Sequence, residues 1–446
     1  INYSLYDRYL FSVNGRVDGS SRFGGNNKYG FFPSGSVAWR ISEEGFMEPV
    51  KAVINNLKLR TSYGFTGNTE IGVYESLATL ESNSWTIGNQ LVSGFYPNRI
   101  PNPDLKWEKT GQFDIGFDLG LFNNRLRLTA DYYYKKTTDL LYNVAIPSAS
   151  GYDSMLKNIG SVQNKGYELS IESDNLSGAF SWTTAFNISF NRNKVLELGG
   201  ETYKDVGTYD DHLKTSDIRR LIVGQPIGVF YGYRFDGIFQ NEAECAQQTS
   251  SPSPIGVGLR RYKDLNGDGK IDATNDREIL GDANPKFFGG MTNTFAYRGF
   301  ELNVFLQYSY GNKIFNYNAM ELESPTGGQN VYQDLVNRWT PTNPSNEYQK
   351  ATTNRNNIVS DRFIEDGSFL KLKTVSLSYS FPKLNWKHIG GLRLYVTGQN
   401  LLTWTKYRGY DPEVSYRGAS TLEAGEDFGG YPQARTFMFG IKLDIK

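Results

Sequence analysis

Between residues 264 and 276 the chain sets Asp264, Asn266, Asp268, Lys270 and Asp272 at alternate positions, with Gly269 in the sixth place and Ile271 in the eighth. Oxygen side chains at places one, three, five and nine, a backbone carbonyl at the seventh, a glycine for the sharp turn and an apolar anchor are what an EF-hand-type calcium loop requires. The twelfth place should bring a bidentate carboxylate and holds Asn275; with a one-residue insertion, Asp276 closes the site. The competing reading is a metal-free loop of Asx turns.

A second set of residues could contact a ligand. Trp85, Tyr96, Trp339, Trp404, Tyr407 and Tyr410 fall in segments that read as loops, and aromatic faces there stack readily on sugar rings. The alternative for each is loop packing, or an interface with a partner protein. Nothing points to bond-breaking chemistry: no nucleophile accompanies a base, and no carboxylate pair stands in an acid/base setting. His212 and His388 are the only histidines, which excludes a multi-histidine metal site. Lys+Arg and Asp+Glu both total 47, so charge gives no argument for a nucleic-acid partner. The single Cys245 cannot form an intrachain disulfide.

The elements that must carry these loops repeat with period two. Phe113, Ile115, Phe117, Leu119 and Leu121 alternate with Asp114, Gly116, Asp118 and Gly120; after the turn at Phe122, Asn123, Asn124 and Arg125, Leu126, Leu128, Ala130, Tyr132 and Tyr134 alternate with polar residues. Each strand therefore has an apolar face and a polar or glycine face. The pattern recurs to the end of the chain, where Phe437, Phe439, Ile441, Leu443 and Ile445 alternate. No run of 18 apolar residues offers a transmembrane helix, which leaves a β-barrel open.

A barrel and a sandwich share this alternation, and connection lengths separate them. Tight turns alternate with long segments at 67–106, 143–157, 191–285, 315–367 and 402–434, as expected when one rim carries turns and the other extended loops. The strand-like piece 228–239 is assigned to a loop so that this parity holds. Aromatics gather near strand ends, as Tyr308 with Tyr310 and Tyr379 with Phe381 do. The expected fold is all-β: an antiparallel transmembrane barrel of about 12 strands. The opening residues hold no signal sequence and lead almost directly into a strand, so the chain reads as part of something longer.

The segments VDGSSRFGGNNKYGFFPSGSVAWRISEE (17–44), NNLKLRTSYGFTGN (55–68), NPDLKWEKT (102–110), NIGSVQNKGYELSI (158–171), GQPIGVFYGYRFDGIFQ (224–240), DLNGDGKID (264–272) and GQNLLTWTKYRGYDPE (398–413) resemble the SusC/RagA group of TonB-dependent outer-membrane transporters of Bacteroidetes. The resemblance spans the chain. It implies the C-terminal part of a 22-stranded barrel in the bacterial outer membrane, lacking its plug, its N-terminal extension and the segment that engages TonB. It further implies active import rather than catalysis, a SusD-like surface lipoprotein as lid, a dimer of such pairs, and a glycan cargo with peptide as runner-up. The hinge contact with the lid is expected in 67–106. Such barrels usually end on an aromatic residue, whereas this sequence ends at Lys446.

Overall fold

The structure is a computed structural model that describes residues 1–24, 26–69, 71–152, 154–207, 215, 218–324, 330–353, 357–382, 389–413, 415–418 and 420–445; His212, His388 and Lys446 lie outside them. The chain divides into two units, residues 1–173 with 191–202, and residues 174–190 with 203–446.

The first unit is built on β1 (Asn2–Leu5), β2 (Tyr9–Gly19), β3 (Tyr29–Arg40), β4 (Ile54–Asn68), β5 (Glu108–Leu121), β6 (Leu126–Thr138) and β7 (Ser161–Leu176). These strands neighbour one another in sequence order, every pair antiparallel. Register keeps the two faces apart. Leu59, Phe117, Ala130 and Leu169 form one cross-strand row, and one residue away Lys58, Asp118, Thr129 and Ser170 form the next on the opposite face. The β5–β6 turn places Phe122, Asn123 and Asn124 at φ of 55°, 58° and 59°, a region that asparagine tolerates better than most side chains.

The second unit is built on β8 (Phe180–Glu197), whose far end groups with the first unit, then β9 (Phe287–Tyr297), β10 (Phe300–Tyr310), β11 (Phe369–Ser380), β12 (Ile389–Thr405) and β13 (Thr436–Ile445). They too pair antiparallel in sequence order. The row Leu302, Leu377, Val396 and Phe439 is apolar throughout. A bulge in β11 inserts Lys373 between Leu372 and Thr374. The twelve strands expected from the sequence are β2 to β13, and β1 is a short addition.

Several boundaries differ from expectation. β8 runs to Glu197 and β12 to Thr405, so the loops expected from 191 and 402 begin later. The segment 67–106 carries a hairpin, Thr79–Ile87 with Gln90–Arg99, and 143–157 lies within another, Leu141–Ala145 with Ser154–Asn158. The piece 228–239 contributes Val229–Tyr233 to a four-stranded loop sheet with Tyr203–Val206, Arg219–Ile222 and Arg277–Gly281. It does not join the large sheet.

Burial is inverted relative to a water-soluble sheet protein. The buried apolar clusters lie almost entirely in the connections: Phe23, Ile71 and Leu105 in the first unit, and Ile218, Phe230, Phe315, Tyr317, Met320 and Phe363 in the second. The apolar strand face is bare, with Val13, Leu59, Ile115, Leu377, Phe439 and Ile441 all exposed. A sandwich would tuck these residues between two sheets. An exposed apolar band on long antiparallel strands is instead the lipid-facing surface of a membrane barrel.

Candidate functional site

On the polar face of the first unit the charges interlock. The Arg60 guanidinium lies 2.6 Å from Asp131 and 3.5 Å from both Asp114 and Asp118, and the Lys58 ammonium lies 2.9 Å from Asp118. Gly116 stands opposite both Arg60 and Asp131, and a Cβ there would come 2.1 Å from the Asp131 carboxylate. The glycine of the alternating pattern therefore makes room for the ion pair. The Thr129 hydroxyl donates to Asp118 at 3.2 Å, and the cluster as a whole is a set of mutually paired charges on the wet face.

The polar face of the second unit carries a different device. Lys371 sits across from Gln307, is 2 % exposed, and donates to Asp411 at 2.6 Å and Glu413 at 2.5 Å. Lys373 donates to Glu413 (2.9 Å) and Gln433 (3.0 Å), and Gln307 donates to Glu413 (2.9 Å). Asp411 also accepts from the backbone of Glu413 and Gln433. Burial alone would raise both carboxyls; the hydrogen bonds and positive charge of Lys371, joined at Glu413 by Lys373, outweigh it and hold both below the usual range. The connection 406–435 is thus latched to the strands at both limbs. Sequence reading missed this cluster, although lysines two apart in the otherwise uncharged strand FLKLKTVSLSYS were its visible signal.

The same connection is woven into the loops above it. Arg219 and Glu426, each 1 % exposed, pair at 2.9 Å, and the Arg219 guanidinium stacks on Phe230 and donates to the carbonyls of Gly228 and Ala424. Arg362 and Arg408 converge on the buried Glu323, and Arg408 also reaches Glu365. Burial pushes the Tyr262 hydroxyl, beside this layer, up to about 12.

The six aromatics expected to meet a ligand have three different fates. Trp85 and Tyr96 remain partly exposed on the hairpin within 69–107, rings edge to face at 6.4 Å, with Tyr96 donating to Glu81. Trp339 and Tyr407 are buried: the Trp339 indole donates to Gln240 at 3.0 Å, and the Tyr407 hydroxyl to Asp427 at 2.5 Å. Burial first, and then the Asp427 carboxylate, raise the Tyr407 hydroxyl far above the usual range. Both hold loops together. Trp404 lies within β12 opposite Leu370, on the apolar face, where the strand has not yet ended. Tyr410 is 80 % exposed, beside the Asp411 anchor.

The 264–276 segment folds as a closed oxygen-lined loop. Asp264 accepts from the amides of Gly267 and Gly269, both at positive φ, and Asp268 accepts from Lys270. Asn266 accepts from the Asp268 amide and donates to its carboxylate. Asp272 accepts from Thr274 and Asn275, and the hydrogen bonds from Asn275 and Thr274 lower its carboxyl. Asp276 is fully buried, one oxygen accepting from Leu265 and the other from Asp272. Asp276, not Asn275, therefore turns inward to close the loop. Among the described residues no three carboxylate, imidazole or thiol side chains converge closely enough to hold an ion as they stand.

A sheet with a bare apolar face, a charged face and folded loops on alternate connections defines an outer-membrane β-barrel protein. The pattern of the family described as TonB dependent receptor-like, beta-barrel, matches residues 1–240, and the chain belongs to that family. It is 41 % identical to TonB-dependent receptor P3 of Formosa agariphila over 99 % of this chain and 44 % of the relative, and 31 % identical to TonB-dependent receptor SusC of Bacteroides thetaiotaomicron over 100 % and 43 %. The solved structure of the RagAB peptide transporter superposes with a TM-score of 0.83 at 28 % identity, covering 99 % of this chain and 46 % of that one. The chain is of the SusC/RagA type and spans less than half the length of these relatives. Its kin are receptors and transporters, not enzymes.

Proposed function

We propose that the chain forms part of the barrel of an active importer, which carries a nutrient across the outer membrane when TonB, through a part of the protein beyond residues 1–446, displaces a plug. The observation that carries this reading is the separation of faces, lipid-compatible on one side and ion-paired on the other, beneath loops folded into a fixed layer. The cargo is an oligosaccharide; Trp85 and Tyr96 in the first unit and, separately, Tyr410 in the second are exposed aromatic faces of the kind on which sugar rings stack. A SusD-like lipoprotein covers the loops, its hinge on the exposed apolar hairpin of 67–106, where Leu80, Leu91 and Phe95 are bare, and two such pairs associate. Peptide is the second reading, favoured by the likeness to a transporter described as carrying peptide. Calcium occupies the 264–276 loop: Asp264, Asn266, Asp268, Asp272, Asp276 and the Lys270 carbonyl are its ligands, hard oxygens all.

The test is to purify the full-length protein from outer membranes with its bound partner and identify the retained ligand by mass spectrometry. A glycan, together with loss of uptake of that glycan on deleting the gene, supports the first reading. A mixture of peptides replaces it with the second, and unchanged uptake of every retained ligand would remove both.

A further inference from the structure

The sequence contains two Asn–Gly dipeptides, Asn14–Gly15 and Asn266–Gly267. Asparagine before glycine lets a backbone nitrogen reach the side-chain amide most readily, because glycine has no Cβ to obstruct the approach. Asn14 lies inside β2, with Gly15 paired to Pro33 on β3, so the extended ladder holds that nitrogen away from the side chain. Asn266 and Gly267 are instead exposed, Gly267 has a φ of 78°, and a Cβ built on it would meet nothing within 4 Å.

The loop sets further groups around this second dipeptide. The Asp264 carboxylate accepts from the Gly267 amide at 2.6 Å through one oxygen and from the Gly269 amide at 2.7 Å through the other. It is thereby fixed against the nitrogen that must lose a proton. The Asp268 amide donates to Asn266 Oδ1 at 3.2 Å, where negative charge develops when the side-chain carbonyl is attacked. The Asp268 carboxylate accepts from Asn266 Nδ2 at 3.1 Å, which orients the plane of the amide.

We propose that Asn266 is a site of intramolecular deamidation promoted by the fold of its own loop. Asp264 takes the proton as the Gly267 nitrogen bonds to Cγ of Asn266; the Cγ–Nδ2 bond breaks, and Nδ2 receives a proton from solvent and leaves as ammonia. Water then opens the resulting cyclic imide. Opening at Cγ gives aspartate, and opening at the backbone carbonyl gives isoaspartate. Aspartate at residue 266 adds a carboxylate at the third place of the loop, and the number of charged ligands tunes how tightly such a loop holds calcium. Isoaspartate lengthens the backbone there and breaks the spacing of the oxygens. The chemistry itself needs no calcium and does not depend on the import reading.

The experiment holds the full-length protein in detergent at neutral pH with calcium chelated, beside a synthetic peptide of residues 260–280. Mass spectrometry with electron-transfer fragmentation separates asparagine, aspartate and isoaspartate at residue 266. Conversion should run several fold faster in the protein than in the peptide, whose nitrogen has no fixed base, while Asn14 stays unconverted. Asp264→Asn keeps an acceptor for both glycine amides but removes the base, and should bring the protein down to the peptide's rate or below. A parent rate no higher than the peptide's would overturn the proposal, and so would conversion of the variant at the parent's rate. The first comparison uses no variant and so stands however Asp264→Asn folds.

Discussion

Lys371 is the residue on which the last long connection depends. Two carboxylates lie against its buried ammonium; removing the cation leaves the buried Asp411 without a positive partner, while the partly exposed Glu413 keeps Lys373 and Gln307, so the change costs at most the loss for a broken buried pair, about 3 to 5 kcal/mol. Lys371→Met should therefore free 406–435 from the strands, read as rapid protease cleavage in that segment while the barrel stays intact. Lys373→Met leaves Lys371 in place and should cost much less. The acid response has a definite sign. Asp411 and Glu413 are held below their ordinary values, near 3.9 and 4.3 in an unfolded chain, so their contribution is complete above those values and is lost as pH falls through the lower folded ones. Protease sensitivity of 406–435 should be flat from neutral to about pH 4 and rise below it; a rise already at pH 6 would mean that another group holds the loop. At the calcium-type loop the deciding residue is Asp276. If it closes the site as proposed, Asp276→Asn should weaken calcium binding by at least tenfold in calorimetry, whereas Asn275→Ala should leave it nearly unchanged.

At the scale of strands, alternation decides which substitutions the membrane tolerates. Leu128 lies in the row with Leu119 and Ile171, and Thr129 in the row with Asp118 and Ser170. Leu128→Arg, or Ile188→Arg on β8, should destabilise the folded protein by roughly 2 to 4 kcal/mol near the bilayer midplane. Thr129→Arg places its guanidinium beside Asp118 on the wet face and should cost far less, in urea unfolding from lipid vesicles. Equal costs would count against the assigned faces. This contrast was legible in the sequence because period two is local: each strand from β2 to β13 announces its own faces. Loop architecture was not legible, because its determinants are pairs far apart in the chain, such as Arg219 with Glu426 or Trp339 with Gln240. For the same reason Trp404 and Tyr407 read alike from composition alone. Strand continuation to Thr405 puts the first on the lipid face, and a hydrogen bond to Asp427 puts the second inside the loop layer.

At the scale of the whole molecule the governing constraint is hydrogen bonding at sheet edges. Among the described residues β1 pairs only with β2, and β13 only with β12, so each presents a row of backbone N–H and C=O groups without a strand to receive them. In hydrocarbon every such group costs several kcal/mol, which is why membrane sheets close. The relatives it matches are more than twice as long, and strands from the remainder of such a protein are what these edges would accept. Residues 1–446 expressed alone in an outer membrane should then stay protease-sensitive and migrate identically with and without boiling. The same residues within the full-length protein, or supplied together with the remainder as a second polypeptide, should become protease-resistant and shift on heating. Stable insertion of 1–446 by itself would require β1 and β13 to satisfy each other, and a cysteine pair across those two strands that crosslinks in the lone chain would demonstrate it.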